Sequence, residues 1–241
     1  MGSRLSGAGF SERLREAAEP WWRGQLEHPF VRGIGDGTLA ARRFCHYLGQ
    51  DYALLIECGR LYGLACARAP RPEDAAAFAR LAHETFVTEL EAHRSLARKW
   101  RLTRADLEST AMTPTTRAYS DFLLRTAALG DFGELAGALL PCIVGYREIG
   151  ERLAEGGPPR DDRYALWIEH YAGDDYGKLA DWACRLVDAV AEDLGGGGKD
   201  RMLRAFVESS RHELAFWEGA WRLEEALPVP DEAPSSGRSA H

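Results

Sequence analysis

The sequence predicts an all-α protein built as a single-domain helical bundle. Apolar residues recur at spacings of three and four along almost the whole chain, the period of an amphipathic helix. Runs of alternating Val, Ile, Thr and aromatic residues between turn residues are nearly absent, which removes the strand signal. No segment repeats at a fixed period, and 241 residues of ordinary apolar content are enough for one large core.

Taken in order, a first helix is expected over residues 11–25, with Ser11 as its N-cap. The segment 28–38 (HPFVRGIGDGT) is crowded by Pro29, Gly33, Gly35 and Gly37 and reads as an ordered loop or linker. A long helical pattern follows over about 39–69, broken by Pro70 and Pro72. The next runs over 73–100, with Pro72 suited to its first position. Thr113 and Pro114 read as an N-cap followed by a first-turn proline, opening a helix that Gly130 ends. Asp131 opens another, which stops at the Gly-Gly-Pro-Pro run 156–159. Shorter helices are expected over 161–171 and 174–194, then a flexible glycine break at 195–198 and a last helix over about 199–226. Residues 1–226 thus read as one domain, and 227–241, with its prolines and serines, as a disordered tail.

Composition excludes several function classes. Lys plus Arg number 30 against 37 for Asp plus Glu, a net charge of −7 with no basic block, so the phosphate-neutralising footprint of a nucleic-acid binder is missing. No window approaches 18 uninterrupted apolar residues, and the first ten residues lack an apolar core with a cleavage site. A soluble, unexported chain without a membrane partner is expected. Five cysteines, odd in number and without a Cys-x-x-Cys pair, fit reduced thiols in the cytoplasm better than a disulfide framework or zinc knuckle.

Polar groups interrupt three apolar stripes. Steps of four and three after Thr38 give Phe44, Leu48, Asp51, Leu55, Cys58 and Tyr62, which puts Asp51 towards the core. A carboxylate there costs several kcal/mol unless it is paired or hydrogen-bonded, so it needs a partner or a ligand. The same walk after Asp131 gives Leu135, Leu139, Cys142, Tyr146, Ile149 and Leu153. In the last helix it gives Leu203, Phe206, Ser210, Glu213 and Trp217. Three helices therefore point Asp51, Cys142 and Glu213 inwards. Pro141 precedes Cys142 in mid-helix, removing one backbone donor and crowding the Gly137 carbonyl, which suits a cavity wall.

Each residue alone has a plain structural reading: a core cysteine is usually inert, and Cys45, Cys58, Cys66 and Cys184 fit that. A single inward carboxylate is more often a satisfied structural acid. The coincidence of a thiol with acids points instead to covalent catalysis, in which a thiolate attacks an electrophilic carbon and a carboxyl group moves protons. A Ser/His/Asp site has no Gly-x-Ser-x-Gly elbow to support it, and no phosphate-cradling loop is present. Glu89 with His93 and Glu208 with His212 are spaced by four rather than the three of a di-iron Glu-x-x-His motif, and read as solvated helix faces.

Beyond these patterns, the chain resembles the TenA-type thiaminase II family. The resemblance runs through 28–39 (HPFVRGIGDGTL), 48–52 (LGQDY), 118–120 (AYS), 139–142 (LLPC), 146–150 (YREIG), 167–173 (WIEHYAG) and 209–213 (SSRHE) with Phe216 and Trp217. It implies the haem-oxygenase-like helical fold and a hydrolase of thiamine-derived aminopyrimidines that releases hydroxymethylpyrimidine in thiamine salvage. Carried over by position, it makes Cys142 the nucleophile and Glu213 the proton-transferring acid. Asp51 would hold the aminopyrimidine, Tyr146 and Tyr171 would line the ring, and Tyr119 would stand close to the thiol. Cys142 places the chain in the cysteine-bearing branch. The resemblance implies no metal and no organic cofactor, and a homotetramer. At Leu54 the chain departs from relatives, which often carry an aromatic there, commonly a tyrosine that assists the cysteine. The competing expectations are a di-iron oxidase on the same fold and a non-catalytic binder of thiamine compounds.

Overall fold

A computed structural model describes residues 9–227. Among them are twelve α-helices: α1 (Phe10–Ala17), α2 (Glu19–Leu26), α3 (Pro29–Asp36), α4 (Ala41–Arg68), α5 (Pro72–Glu84), α6 (Leu90–Lys99), α7 (Arg104–Glu108), α8 (Pro114–Leu129), α9 (Phe132–Glu155), α10 (Ala165–Ala172), α11 (Asp174–Asp193) and α12 (Gly196–Arg222). A π-helical turn, Thr85–Glu89, joins α5 to α6, and a short 3₁₀ turn, Asp162–Tyr164, precedes α10. No strand occurs among the described residues, as the sequence predicts. The expected tail beyond Leu227 lies outside them.

Helix starts follow from local chemistry. The Thr113 hydroxyl accepts the Thr116 N–H at 3.2 Å, and Pro114 stands in the first turn, where its missing donor costs nothing. Asp131 and Glu134 form a reciprocal capping box, each carboxylate accepting the other's backbone N–H at 2.8 Å. Arg201 of α12 donates to the same Asp131 at 2.6 Å and ties the two helix starts together.

Three expectations are corrected. The segment read as a loop is α3. His28 caps it, its Nδ1 accepting the Phe30 N–H at 3.2 Å while Nε2 donates to Glu218 at 3.0 Å. Pro29 opens the helix, and Gly37, left-handed at φ 67°, closes it. Proline and glycine thus sit at the two ends that suit them, and Phe30, Val31 and Ile34 are buried between. A Cβ at Gly37 would also stand 2.5 Å from the Arg160 and Asp161 nitrogens. The expected 11–25 helix is two helices, interrupted at Ala18. Gly9, not Ser11, is the first cap, and the Ser11 N–H instead donates to Asp188 of α11 at 2.7 Å. The glycine break at 195–198 is largely the first turn of α12, whose leading N–H groups need no intrahelical acceptor; the helix stops at Leu223 (φ 57°), short of Ala226.

At the centre, α9 packs on α12, α11 and α10, while α4 packs on α5 and α8. α9 meets α12 closely at Gly137, where a Cβ would stand 2.5 Å from the Met202 carbonyl oxygen and 2.9 Å from its Cγ. The Gly137→Ala variant gains helix propensity but must push two backbones apart. The clash decides the sign: a net loss of about 2 kcal/mol is expected, lowering Tm by about 4–8 °C in circular-dichroism melting. An unchanged or raised Tm would show that α12 can yield there.

Candidate active site

Between α4, α5, the π turn, α6, α9, α10, α11 and α12 lies a cavity of about 950 Å³, at the upper end for a small-molecule site. Asp51, Cys142, Tyr146, Tyr171 and Glu213 all line it. Five of the six residues singled out in the sequence therefore face one space. The sixth, Tyr119, is fully buried and stands behind Glu213 instead of on the wall.

Glu213 is 1% exposed. Its Oε1 accepts the Tyr119 hydroxyl at 2.6 Å, while Oε2 has no partner. Burial raises its pKa to about 7; the Tyr119 hydrogen bond opposes the rise and nearby Asp51 adds to it. Behind it, the Ser209 hydroxyl lies 3.2 Å from the Tyr119 oxygen and donates to the Ala138 carbonyl at 2.7 Å. The Tyr119 hydroxyl holds the acid in place from the side away from the cavity, with Ser209, anchored on Ala138, packed against it. A carboxyl group that titrates near neutrality, with a free oxygen, is equipped to take or give a proton.

Cys142 presents part of its surface to the cavity, and its thiol donates to the Leu139 carbonyl at 3.0 Å. That acceptor lies three residues back on the same helix. Burial raises the thiol pKa well above the usual value, with Cys58, Glu213 and Glu89 adding to the rise. At neutral pH the thiol is protonated and needs a base before it can attack. Cys58 of α4, read from sequence as an inert core residue, lines the same cavity, and its thiol is likewise pushed up by burial.

Asp51 accepts a partner from outside the sequence reading. His93 of α6, 8% exposed, sets its Nε2 3.1 Å from Asp51 Oδ2. Neither it nor Glu89, which lines the cavity, belongs to a solvated face. The five-residue π turn inserts an extra residue into what the sequence presents as one continuous helix, shifting the phase of everything after it. The sequence pattern, which reads 73–100 as one helix, carries no sign of this phase shift. The second pair is partly as expected: Glu208 is half-exposed, but His212 stacks on Tyr119 with ring centroids 5.4 Å apart.

Aromatic rings form the rest of the wall. Tyr146 and Tyr171 stand 4.8 Å apart between ring centroids, and Tyr171 packs against Trp167 at 4.6 Å and Tyr176 at 4.9 Å. The Trp167 indole N–H donates to Tyr47 at 3.1 Å. Burial holds the phenols of Tyr47, Tyr146, Tyr171 and Tyr176 well above their usual pKa, so they are neutral hydrogen-bonding walls. Leu54 also lines the cavity and offers it no polar atom. No group of three or more His, Cys, Asp or Glu side chains is arranged to hold a metal ion among the described residues.

The sequence pattern of the TENA/THI-4/PQQC family matches residues 15–223, nearly the whole described chain. The chain belongs to the TENA/THI-4/PQQC family. Within it, an aminopyrimidine aminohydrolase of Halalkalibacterium halodurans is 36% identical over 214 residues, covering 88% of this chain and 95% of that protein. An aminopyrimidine aminohydrolase of Bacillus subtilis is 34% identical, covering 89% of this chain and 91% of the relative. Among solved structures, a TenA homologue from P. horikoshii superposes with a TM-score of 0.84 at 33% identity, over 89% of this chain and 99% of that one. A domain from Shewanella denitrificans described as having a heme oxygenase-like fold superposes at 0.73 with 13% identity, a likeness of fold alone. The family's fold is therefore the one observed here.

Proposed function

We infer that the protein is an aminopyrimidine aminohydrolase of thiaminase II type, which replaces the group on the methylene arm of a thiamine-derived aminopyrimidine by hydroxyl. The observation that carries this is the convergence of Cys142, Glu213 and Asp51, from three separate helices, on one aromatic-walled cavity. The names of the two relatives above support the same activity.

In the reaction proposed, the Cys142 sulfur bonds to the electron-poor pyrimidine beside the carbon that bears the arm, losing its proton as a ring nitrogen gains one. Glu213, titrating at about 7, is suited to share that ring proton. The carbon–nitrogen bond of the arm then breaks, and the amine or thiazole leaves with the bonding electrons. Water adds to the exposed methylene carbon and gives up a proton, the sulfur–carbon bond breaks, and hydroxymethylpyrimidine is released with the thiol restored. Asp51, steadied by His93, would accept hydrogen bonds from the 4-amino side of the ring, and Tyr146 and Tyr171 would stack on it.

Asp51→Asn keeps an oxygen to face His93 but loses the charge that strengthens the bond to the amino group. KM for the pyrimidine is expected to rise at least ~10-fold with Tm little changed, in line with the strength of charge-assisted hydrogen bonds. A variant that melts far below the parent with KM intact would make Asp51 a structural acid. The activity itself is tested by incubating the protein with aminomethylpyrimidine, its formylated derivative and thiamine, and measuring hydroxymethylpyrimidine; release from none of them sinks the reading.

We place the enzyme in the cytoplasm as a homotetramer. No described helix is long and apolar enough to cross a membrane, and all five cysteines are free thiols. Phe86, Val87 and Leu166 are exposed apolar side chains available for subunit contact. Light scattering after gel filtration checks the assembly.

A further inference from the structure

Beside Asp51 and Glu213, the inner wall of the cavity carries a carboxyl group that the proposed mechanism does not use. Glu89 closes the π turn and lines the main cavity. It also lines a smaller space of about 290 Å³. The two spaces share Asp51, Leu55, Ala92, His170 and Tyr171 as well, so Glu89 stands where they adjoin. Its side chain accepts one hydrogen bond, from the Thr85 hydroxyl at 3.3 Å, out of about four that a carboxylate can take. No Lys or Arg pairs with it among the described residues.

The distribution of charge around it is uneven. Cations that line the cavity, Arg80, Lys178 and Arg185, are all exposed. Arg80 lies 3.7 Å from Glu84, and Lys178 is 2.7 Å from Asp175. The inner wall holds Asp51, Glu89 and Glu213 and no Lys or Arg; the basic side chain beside them is the imidazole of His170, which also lines both spaces. Asp51 already faces His93 and Glu213 faces Tyr119. Glu89 alone of the three lacks a strong partner. A half-buried carboxyl group is costly without one, and a cationic ligand removes that cost. Burial and the neighbouring Asp51 already raise its pKa, the response of an acid that lacks a counter-charge.

We propose that Glu89 is a specificity-determining residue that receives the positively charged group on the methylene arm, so that the enzyme favours pyrimidines with a cationic leaving group over those with a neutral arm. The proposal rests on the functional reading above and adds the feature of the substrate that this wall recognises. An alkyl ammonium and a thiazolium share the required charge. A hydroxymethyl or formamidomethyl arm lacks it.

The test compares KM for aminomethylpyrimidine with the inhibition constant of hydroxymethylpyrimidine, which has the same ring and a neutral arm. In Glu89→Gln, KM for the amine is expected to rise about 10-fold, the size of one charge-assisted hydrogen bond, while the inhibition constant stays within about twofold of the parent. Glu89→Ala should give the same split and guards against a peculiarity of the amide. Equal weakening of both ligands would make Glu89 a determinant of cavity shape, and an unchanged KM would show that it does not touch the arm; either result overturns the proposal. Loss of folding is read separately from Tm. If the parent itself neither releases hydroxymethylpyrimidine from the amine nor is inhibited by it, the functional reading fails before any substitution is made, and the proposal falls with it.

Discussion

Cys142→Ser is expected to lower kcat for hydroxymethylpyrimidine release by roughly 10³-fold or more, the scale on which enzymes lose rate when a nucleophile is removed. Burial keeps the Cys142 thiol protonated at rest, and its hydrogen bond to Leu139 keeps it turned along its own helix. Attack therefore requires a proton transfer, and a hydroxyl is far harder to deprotonate than a thiol. The presence of Cys58 on the same wall makes the control essential, because alkylation with a small reagent would reach either thiol. Cys58→Ala should retain most of the parent rate. Parent-like turnover by the Cys142 variant, or silence of the Cys58 variant alone, would move the covalent role away from Cys142.

Glu213→Gln should reduce kcat by roughly 10² or more, since it keeps the shape of the acid and its acceptor for Tyr119 but cannot carry a proton. Its effect on stability has a defined sign. The carboxyl titrates at 4.5 by its ordinary value and at about 7 when buried, so between these the folded chain binds the proton more tightly than the unfolded one. The stabilisation from this group is complete below about 4.5, is lost as pH rises through 7, and changes no further above that. The total is on the order of 3 kcal/mol. Thermal melts of parent and variant at a series of pH values should therefore show the parent losing ground across that window, by roughly 6–12 °C in a chain of this size. The parent's pH–rate profile should bend near 7 and the variant's should not. A constant difference in Tm at all pH values would mean that Glu213 is already ionised in the folded protein, and would remove it as the proton carrier.

The fold was legible because it rests on periodicity and on helix ends that use Thr113, Pro114 and Asp131 in their ordinary roles. Density without position is a poor guide: by number the prolines and glycines of 28–38 are breakers, although Pro29 and Gly37 mark the start and stop of α3. Site legibility followed the same logic. Asp51, Cys142 and Glu213 lie on uninterrupted helical stripes, so steps of three and four found them. His93 and Glu89 lie beyond a π turn that changes the step, and Cys58 was on a correctly traced stripe but carried no feature to separate it from an inert core cysteine. Tyr119 was tied to the site only by resemblance. Its action through Glu213 depends on α8 and α12 meeting, a contact that no local pattern encodes.

The cavity takes its wall from α4, α5, the π turn, α6, α9, α10, α11 and α12, so its groups are drawn from positions as far apart as 51 and 213. Such a centre is not modular. No fragment, half-chain or transplanted helix pair carries a working subset of it, and every polar group in it becomes useful only after the long-range contacts have closed. Turnover then reports on the integrity of the entire bundle: a mutation at the α9–α12 seam lowers it through the folded fraction and one at the thiol through the chemistry, and the two are told apart when activity is normalised to the folded fraction.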